Sequence, residues 1–267
     1  MKALCEELRQ EYLDLAGLVE TLSAAEWQLK SRFYGWTPFD EVSHLLFFDE
    51  RGLLAATDAA AFAADTAAIA KQLAVGREIS AIARDCYGHL SGAELARQWR
   101  VCFEKLVAQL AVLDPKARLP WYGPQMSARS FATARMMETW AHGQDVYDVM
   151  GRRRTPTTRL KHIAHIGVTT FGWTFVNRKL PVPAAVPHVA LQGPNGETWT
   201  WGEPSSSDFV SGSAEEFCLV VTQRRNLADT ALRHAGSADQ WLPIAQCFAG
   251  PPADPPRAGE RVVAYAR

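Results

Sequence analysis

The hydrophobic period of the chain changes once, at LPVPAAVP, residues 180–187. Pro181, Pro183 and Pro187 lack the amide hydrogen that a helical ladder needs, and their rings clash with the preceding turn, so no helix continues through this stretch. Before it, apolar residues recur every three or four positions, as in helices with one buried face. After it, HVALQGPNGETWTWGE sets two β-rich runs around Pro194, Asn195 and Gly196, a hairpin signal. The expected fold class is α+β: a helical domain over residues 1–180 and a smaller α+β domain over 181–267. A length of 267 residues fits two units, because single cores stop growing at roughly 250–300 residues.

Start and stop signals divide the first part. Residues 3–22 form one helical pattern. Thr37, Pro38 and Asp40 supply an N-cap, a proline at the first helical position and an acid at the positive helix end, so a second helix runs from Pro38 to about Ala56. The alanine-rich residues 59–86 favour a third helix by propensity. Ser91 with Glu94 forms a capping box for a helix reaching Leu113. Ser127 caps the next, which ends near Met150 with Gly151 as its stop, and Thr155–Pro156 opens a last one reaching Lys179. Beyond the prolines, EEFCLVVTQRR and DQWLPIAQCFAG read as helical and residues 208–211 as a further strand.

The net charge of −1 gives no global positive field for nucleic acid or an anionic membrane. The arginines in GRRR, residues 151–154, are accounted for by the negative end of the preceding helix. No apolar run approaches the roughly 20 residues of a membrane span, and MKALCEELRQ is an amphipathic helix pattern rather than a secretory signal, so a cytoplasmic protein is expected. Five cysteines without a CxxC read as free thiols. No GxGxxG, P-loop or GxSxG points to a nucleotide or a serine nucleophile.

The chemistry concentrates in METWAHGQDVYD, residues 137–148. On a helix, Arg135, Glu138, His142 and Asp145 are spaced by three, four and three residues and share one face, with Phe131 and Val149 extending the stripe. A buried carboxylate needs compensation. One form is a metal ion held by Glu138 and His142 from adjacent turns, with His44 of VSHLLFFDE as the third ligand and one coordination position open. The other is an internal ion pair, Glu138 with Arg135 or His142, with His44 a core histidine. Spacing alone leaves both open, since ExxxH is a weak pattern and HExxH is absent. His162 and His165, three apart, read as structural residues. Trp36, Trp121 and Trp140 are candidates for an apolar cleft wall or for ordinary core.

WTPFDEVSHLLFFD and MMETWAHGQDVYDV resemble the two metal-binding helices of the mycothiol-dependent maleylpyruvate isomerase group, within the wider DinB-like superfamily of up-down four-helix bundles. The resemblance covers residues 1–180 and implies His44, Glu138 and His142 as ligands of a divalent metal, most often Zn2+, although Ni2+, Fe2+ and Mn2+ accept the same donors. FVSGSAEEFCLVVTQRRN resembles the sterol-carrier-like second domain of such proteins, including those labelled as wyosine-base-formation proteins. It implies a basic residue facing the cleft at Arg224, with Arg225 beside it, and Gln223 departs from the glycine expected there. The implied chemistry is transfer or isomerisation: a low-molecular-weight thiol bound as thiolate adds to a small electrophile whose carboxylate pairs with Arg224 or Arg225, while Asp145 orients a ligand histidine or acts as a base. The alternative is a non-catalytic module in which metal only ties helices together. Oligomeric state has no signal in the sequence.

Overall fold

The computed structural model describes residues 1–265. It divides into two compact units, Met1–Met150 and Gly151–Arg267.

The first unit is built on four long helices: α1 (Lys2–Val19), α2 (Pro38–Thr57), α5 (Gly92–Val112) and α6 (Ala128–Val149). The expected capping signals hold at their starts. Thr37 and Asp40 exchange side-chain and backbone hydrogen bonds at the head of α2, Ser91 and Glu94 do so at α5, and the Ser127 hydroxyl accepts from Ser130 N at α6. The alanine-rich segment is two helices, α3 (Ala59–Ala74) and α4 (Ile79–Tyr87). Between them Gly76 takes φ +82°, a left-handed conformation open to glycine at little cost, and alanine propensity cannot carry a helix through it. The turn-rich segment after α5 carries a two-residue hairpin, β1 (Arg118–Leu119) with β2 (Met126–Ser127).

α5 and α6 each pack on both α1 and α2, so the ring around the bundle runs α1–α5–α2–α6. Its core is apolar, with Leu8, Leu15, Leu45, Phe103, Leu106 and Phe131 at most 1% exposed. At its centre lies one polar group from each helix. Asp49 of α2, fully buried, accepts from Tyr12 Oη of α1 at 2.5 Å, Trp99 Nε1 of α5 at 2.9 Å and Arg135 Nε of α6 at 2.9 Å. Burial works against the Arg135 charge, but the adjacent Asp49 outweighs it and holds the guanidinium above its ordinary pKa. A buried ion pair is stable only when its remaining hydrogen-bonding groups are satisfied, and here four helices are joined in satisfying them.

The second unit starts earlier than the proline run. Residues 155–179 hold two helices, α7 (Leu160–Thr169) and α8 (Phe171–Asn177), and α7 packs on a helix beyond the prolines, α9 (Ala214–Val221). Gly167 permits this approach: a Cβ there would lie 2.9 Å from Phe217 and Val221. The proline run is thus a connection inside the second unit, and the division expected at 180/181 falls at 150/151.

The sheet of this unit has the order β4–β3–β5–β6, with β3 (His188–Gln192), β4 (Thr198–Trp201), β5 (Phe209–Ser213) and β6 (Arg233–Ala235). The expected hairpin pairs β3 and β4 antiparallel, Val189 facing Trp201, while β5 joins β3 parallel with Val189 beside Val210. DQWLPIAQCFAG holds only the short α10 (Ala238–Trp241) and a 3-10 turn, because Pro243 stands where a longer helix would continue. No helix among the described residues is long and apolar enough to cross a membrane.

Candidate metal centre

α2 and α6 pack side by side, and the polar positions of their facing stripes meet. His44 comes from α2; Glu138 and His142 come from successive turns of α6. His142 Nε2 lies 3.3 Å and His44 Nε2 3.6 Å from the same oxygen, Glu138 Oε2. One donor atom from each of the three lies within 4.8 Å of the other two.

These separations bear on both readings of the sequence. Two donors bound tetrahedrally at about 2.0–2.1 Å from one cation stand about 3.4 Å apart, whereas N–H···O hydrogen bonds span roughly 2.7–3.2 Å. The 3.6 Å edge lies beyond a hydrogen bond and near the donor–donor spacing, while the 3.3 Å edge, also an ion pair of His142 with Glu138, lies close to both. Arg135 is committed to Asp49 rather than to Glu138. The His44 Nδ1 atom is buried without a hydrogen-bond partner, and its Nε2 approach to Glu138 is too long for an ordinary bond. A histidine held only by ring contacts and aimed at a carboxylate and a second imidazole has the chemistry of a ligand, and the donor set fits a divalent cation.

Burial pushes the Glu138 carboxyl up, but the His142 and His44 imidazoles outweigh this and hold it well below the usual carboxylate range. The group is therefore ionised, as a ligand must be. Solvent reaches 23% of the Glu138 side chain and 14% of His44, against 6% of His142. Trp36 stacks on the His142 ring at 5.7 Å and 13°, and Phe33 meets it edge-on at 5.6 Å.

Behind His142 sits a residue that the sequence reading passed over. Nδ1 of His142 lies 2.6 Å from Glu41 Oε2, a carboxylate with 1% of its side chain exposed. A carboxylate can only accept, so Nδ1 carries the proton, and a neutral His142 would turn the Nε2 lone pair toward the cluster. Asp145 is buried at 3% exposure, and it groups with Glu41 and His142 in a second cluster whose donor atoms lie within 4.8 Å of one another. Asp145 is thus no solvated helix-end acid, while the short bond at Nδ1 belongs to Glu41. Glu41 stands in the first turn of α2, where any acid is explained by the helix dipole, and that ordinary explanation concealed it. Its spacing of three from His44 was the available signal.

Arg224 and Arg225 belong to the second unit, on the turn after α9, and both are buried. Arg224 Nη1 donates to Thr222 O, and Arg225 donates to Arg224 O and to Tyr265 Oη. Gln223 has φ +57°, the left-handed position that glycine would fill without strain. Its amide donates to Ala245 O at 3.0 Å and Ala253 O at 2.7 Å, which offsets that strain. His165 is exposed and accepts from Trp201 Nε1 at 3.3 Å within the second unit. Trp140 is buried at 4% exposure, and no cysteine forms a disulfide among the described residues.

The model of the mycothiol maleylpyruvate isomerase N-terminal domain matches residues 8–147. Uncharacterized protein MT0041 of Mycobacterium tuberculosis (strain CDC 1551 / Oshkosh) is 43% identical over 252 residues, 92% of this chain and 95% of that protein; Uncharacterized protein Rv0036c of strain ATCC 25618 / H37Rv matches equally. Among solved structures, the mycothiol-dependent maleylpyruvate isomerase aligns with TM-score 0.53 at 16% identity, and a point mutant of it with 0.54 at 14%, each over 82% of this chain and 87% of the other. At that identity the likeness is one of fold. Carried by more than half of its length, including both α2 and α6, the chain belongs to the mycothiol maleylpyruvate isomerase N-terminal domain family.

Proposed function

We propose that this protein is a metal-dependent thiol transferase or isomerase acting on a small electrophile, with His44, Glu138 and His142 as the metal ligands. The supporting observation is the convergence of these three donors at 3.3 and 3.6 Å, with His44 otherwise unbonded. Two imidazoles and one carboxylate are a donor set of catalytic zinc sites, in which a further position stays open, and Ni2+, Fe2+ or Mn2+ accept the same atoms. A cation held there supplies a Lewis acid that lowers the pKa of a thiol or water in that position.

The remaining roles fall to the chain itself. Glu41 fixes the tautomer and angle of His142 by accepting its Nδ1 proton. Trp36 and Phe33 cover the His142 ring and keep water from its faces. Asp145 is the proposed base beside this pair. Arg224 and Arg225 are proposed to bind a carboxylate, for which the planar guanidinium is suited. A low-molecular-weight thiol is the expected co-substrate because the solved relatives are mycothiol-dependent.

Elemental analysis of protein purified without chelators or a histidine tag tests the centre. We expect about one divalent metal per chain, lost in Glu138→Ala with the fold retained by circular dichroism; full occupancy in that variant refutes the assignment. A matrix of thiols against electrophiles then tests the reaction, and turnover undiminished when thiol is omitted rejects the thiol-dependent reading.

A further inference from the structure

The surroundings of His44 bear on what this centre binds, an inference that rests on the metal reading above. His44 is more open to solvent than its fellow imidazole, and rings flank it: Trp36 at 5.5 Å and Phe48 at 4.8 Å between centroids. Neither flanking ring is core. Both are partly exposed, and from Phe48 the aromatic surface continues to Trp121 at 6.2 Å and Tyr122 at 5.8 Å, the latter 37% exposed. Two stretches distant in sequence supply it: residues 36–48, from the loop before α2 to the middle of that helix, and the loop between β1 and β2. The loop before α2 holds Tyr34 at φ +51°, a strained conformation for a tyrosine.

Aromatic side chains left half-exposed beside a reactive centre offer faces and edges for stacking, and stacking favours planar partners over aliphatic ones of the same polarity. A ligand whose donor atom occupies the open coordination position must lay its body along the rings bordering the exposed ligands. The geometry points to a ligand with an aromatic body, an aryl-bearing thiol or electrophile, whose ring lies against Trp36 and Phe48 while its donor atom reaches the metal.

Co2+-loaded protein makes this measurable without turnover, because the visible absorption of the ion reports a thiolate entering its coordination shell. The probes are benzyl mercaptan and cyclohexylmethanethiol, apolar thiols of similar size that differ in whether the ring is aromatic; each loses its proton to the buffer on binding. We expect the wild-type protein to bind benzyl mercaptan about three- to tenfold more tightly, with Phe48→Leu losing most of that preference while cyclohexylmethanethiol affinity and Co2+ content stay unchanged. Equal affinity of the two thiols for the loaded wild-type protein overturns this inference and leaves the metal centre standing. Failure of the protein to take up Co2+ at all overturns both. The wild-type comparison decides the matter even where a variant folds poorly.

Discussion

Replacing Glu41 by glutamine changes the charge of a buried side chain and little of its shape. In the native protein the Glu41 carboxylate receives the His142 Nδ1 proton at 2.6 Å with 1% of its side chain exposed. A hydrogen bond to a charged partner contributes about 1.5–3 kcal/mol and a neutral one about 1 kcal/mol. Glutamine can still accept through its amide oxygen, so the difference is about 0.5–2 kcal/mol. That difference is felt at the metal, since a carboxylate behind an imidazole raises the basicity of its other nitrogen; loss of such a partner lowers affinity by about 10–100-fold. We therefore expect Glu41→Gln to weaken Zn2+ binding by about tenfold and Glu41→Ala by up to about a hundredfold, since alanine leaves Nδ1 without an acceptor. Competition against a chromophoric chelator measures both, with thermal melts confirming that each variant is folded. Wild-type affinity in both variants would show that the Glu41–His142 contact is only packing and refute the reasoning.

Three further outcomes follow from the geometry. Asp49→Ala strands the buried Arg135 guanidinium together with Tyr12 and Trp99, at a cost of about 3–5 kcal/mol, so the melting temperature should fall by on the order of 10 °C; a change under about 2 °C contradicts the keystone role of this network. Gln223→Gly relieves a left-handed residue worth about 1–2 kcal/mol but removes two hydrogen bonds worth about 1 kcal/mol each and loosens the unfolded chain. Chemical denaturation should thus show a net loss of about 1 kcal/mol, whereas a more stable variant means the amide bonds contribute little. Acidification should release the metal, because protons compete for both imidazoles. The logarithm of affinity should fall as the pH is lowered, and an affinity independent of pH through the acid range excludes histidine ligation.

Much of the scaffold around the centre was legible locally. The Thr37–Asp40 and Ser91–Glu94 boxes and the hairpin at residues 193–197 are short-range arrangements, each complete within a few residues, and they appear where the sequence puts them. Glu138 and His142 on one face, and the isolated His44 among apolar neighbours, were visible for the same reason, and the structure brings these three side chains together. Partners far along the chain were not visible. Glu41 meets His142 across 101 residues and Asp49 meets Arg135 across 86; beyond Glu41's spacing of three from His44, the local patterns do not distinguish these acids from a helix-dipole residue or a surface charge.

The sequence by itself determined where helices start, that a mixed unit follows them, and which polar side chains share a helical face, because capping, periodicity and spacing act within one element. Only the tertiary structure decided that Arg135 neutralises Asp49 and leaves Glu138 to the imidazoles, and that α7 and α8 belong with the sheet rather than the bundle. Those outcomes depend on which faces pack against each other, and burial is what converts such a meeting into an obligatory pairing of charge and hydrogen bonds.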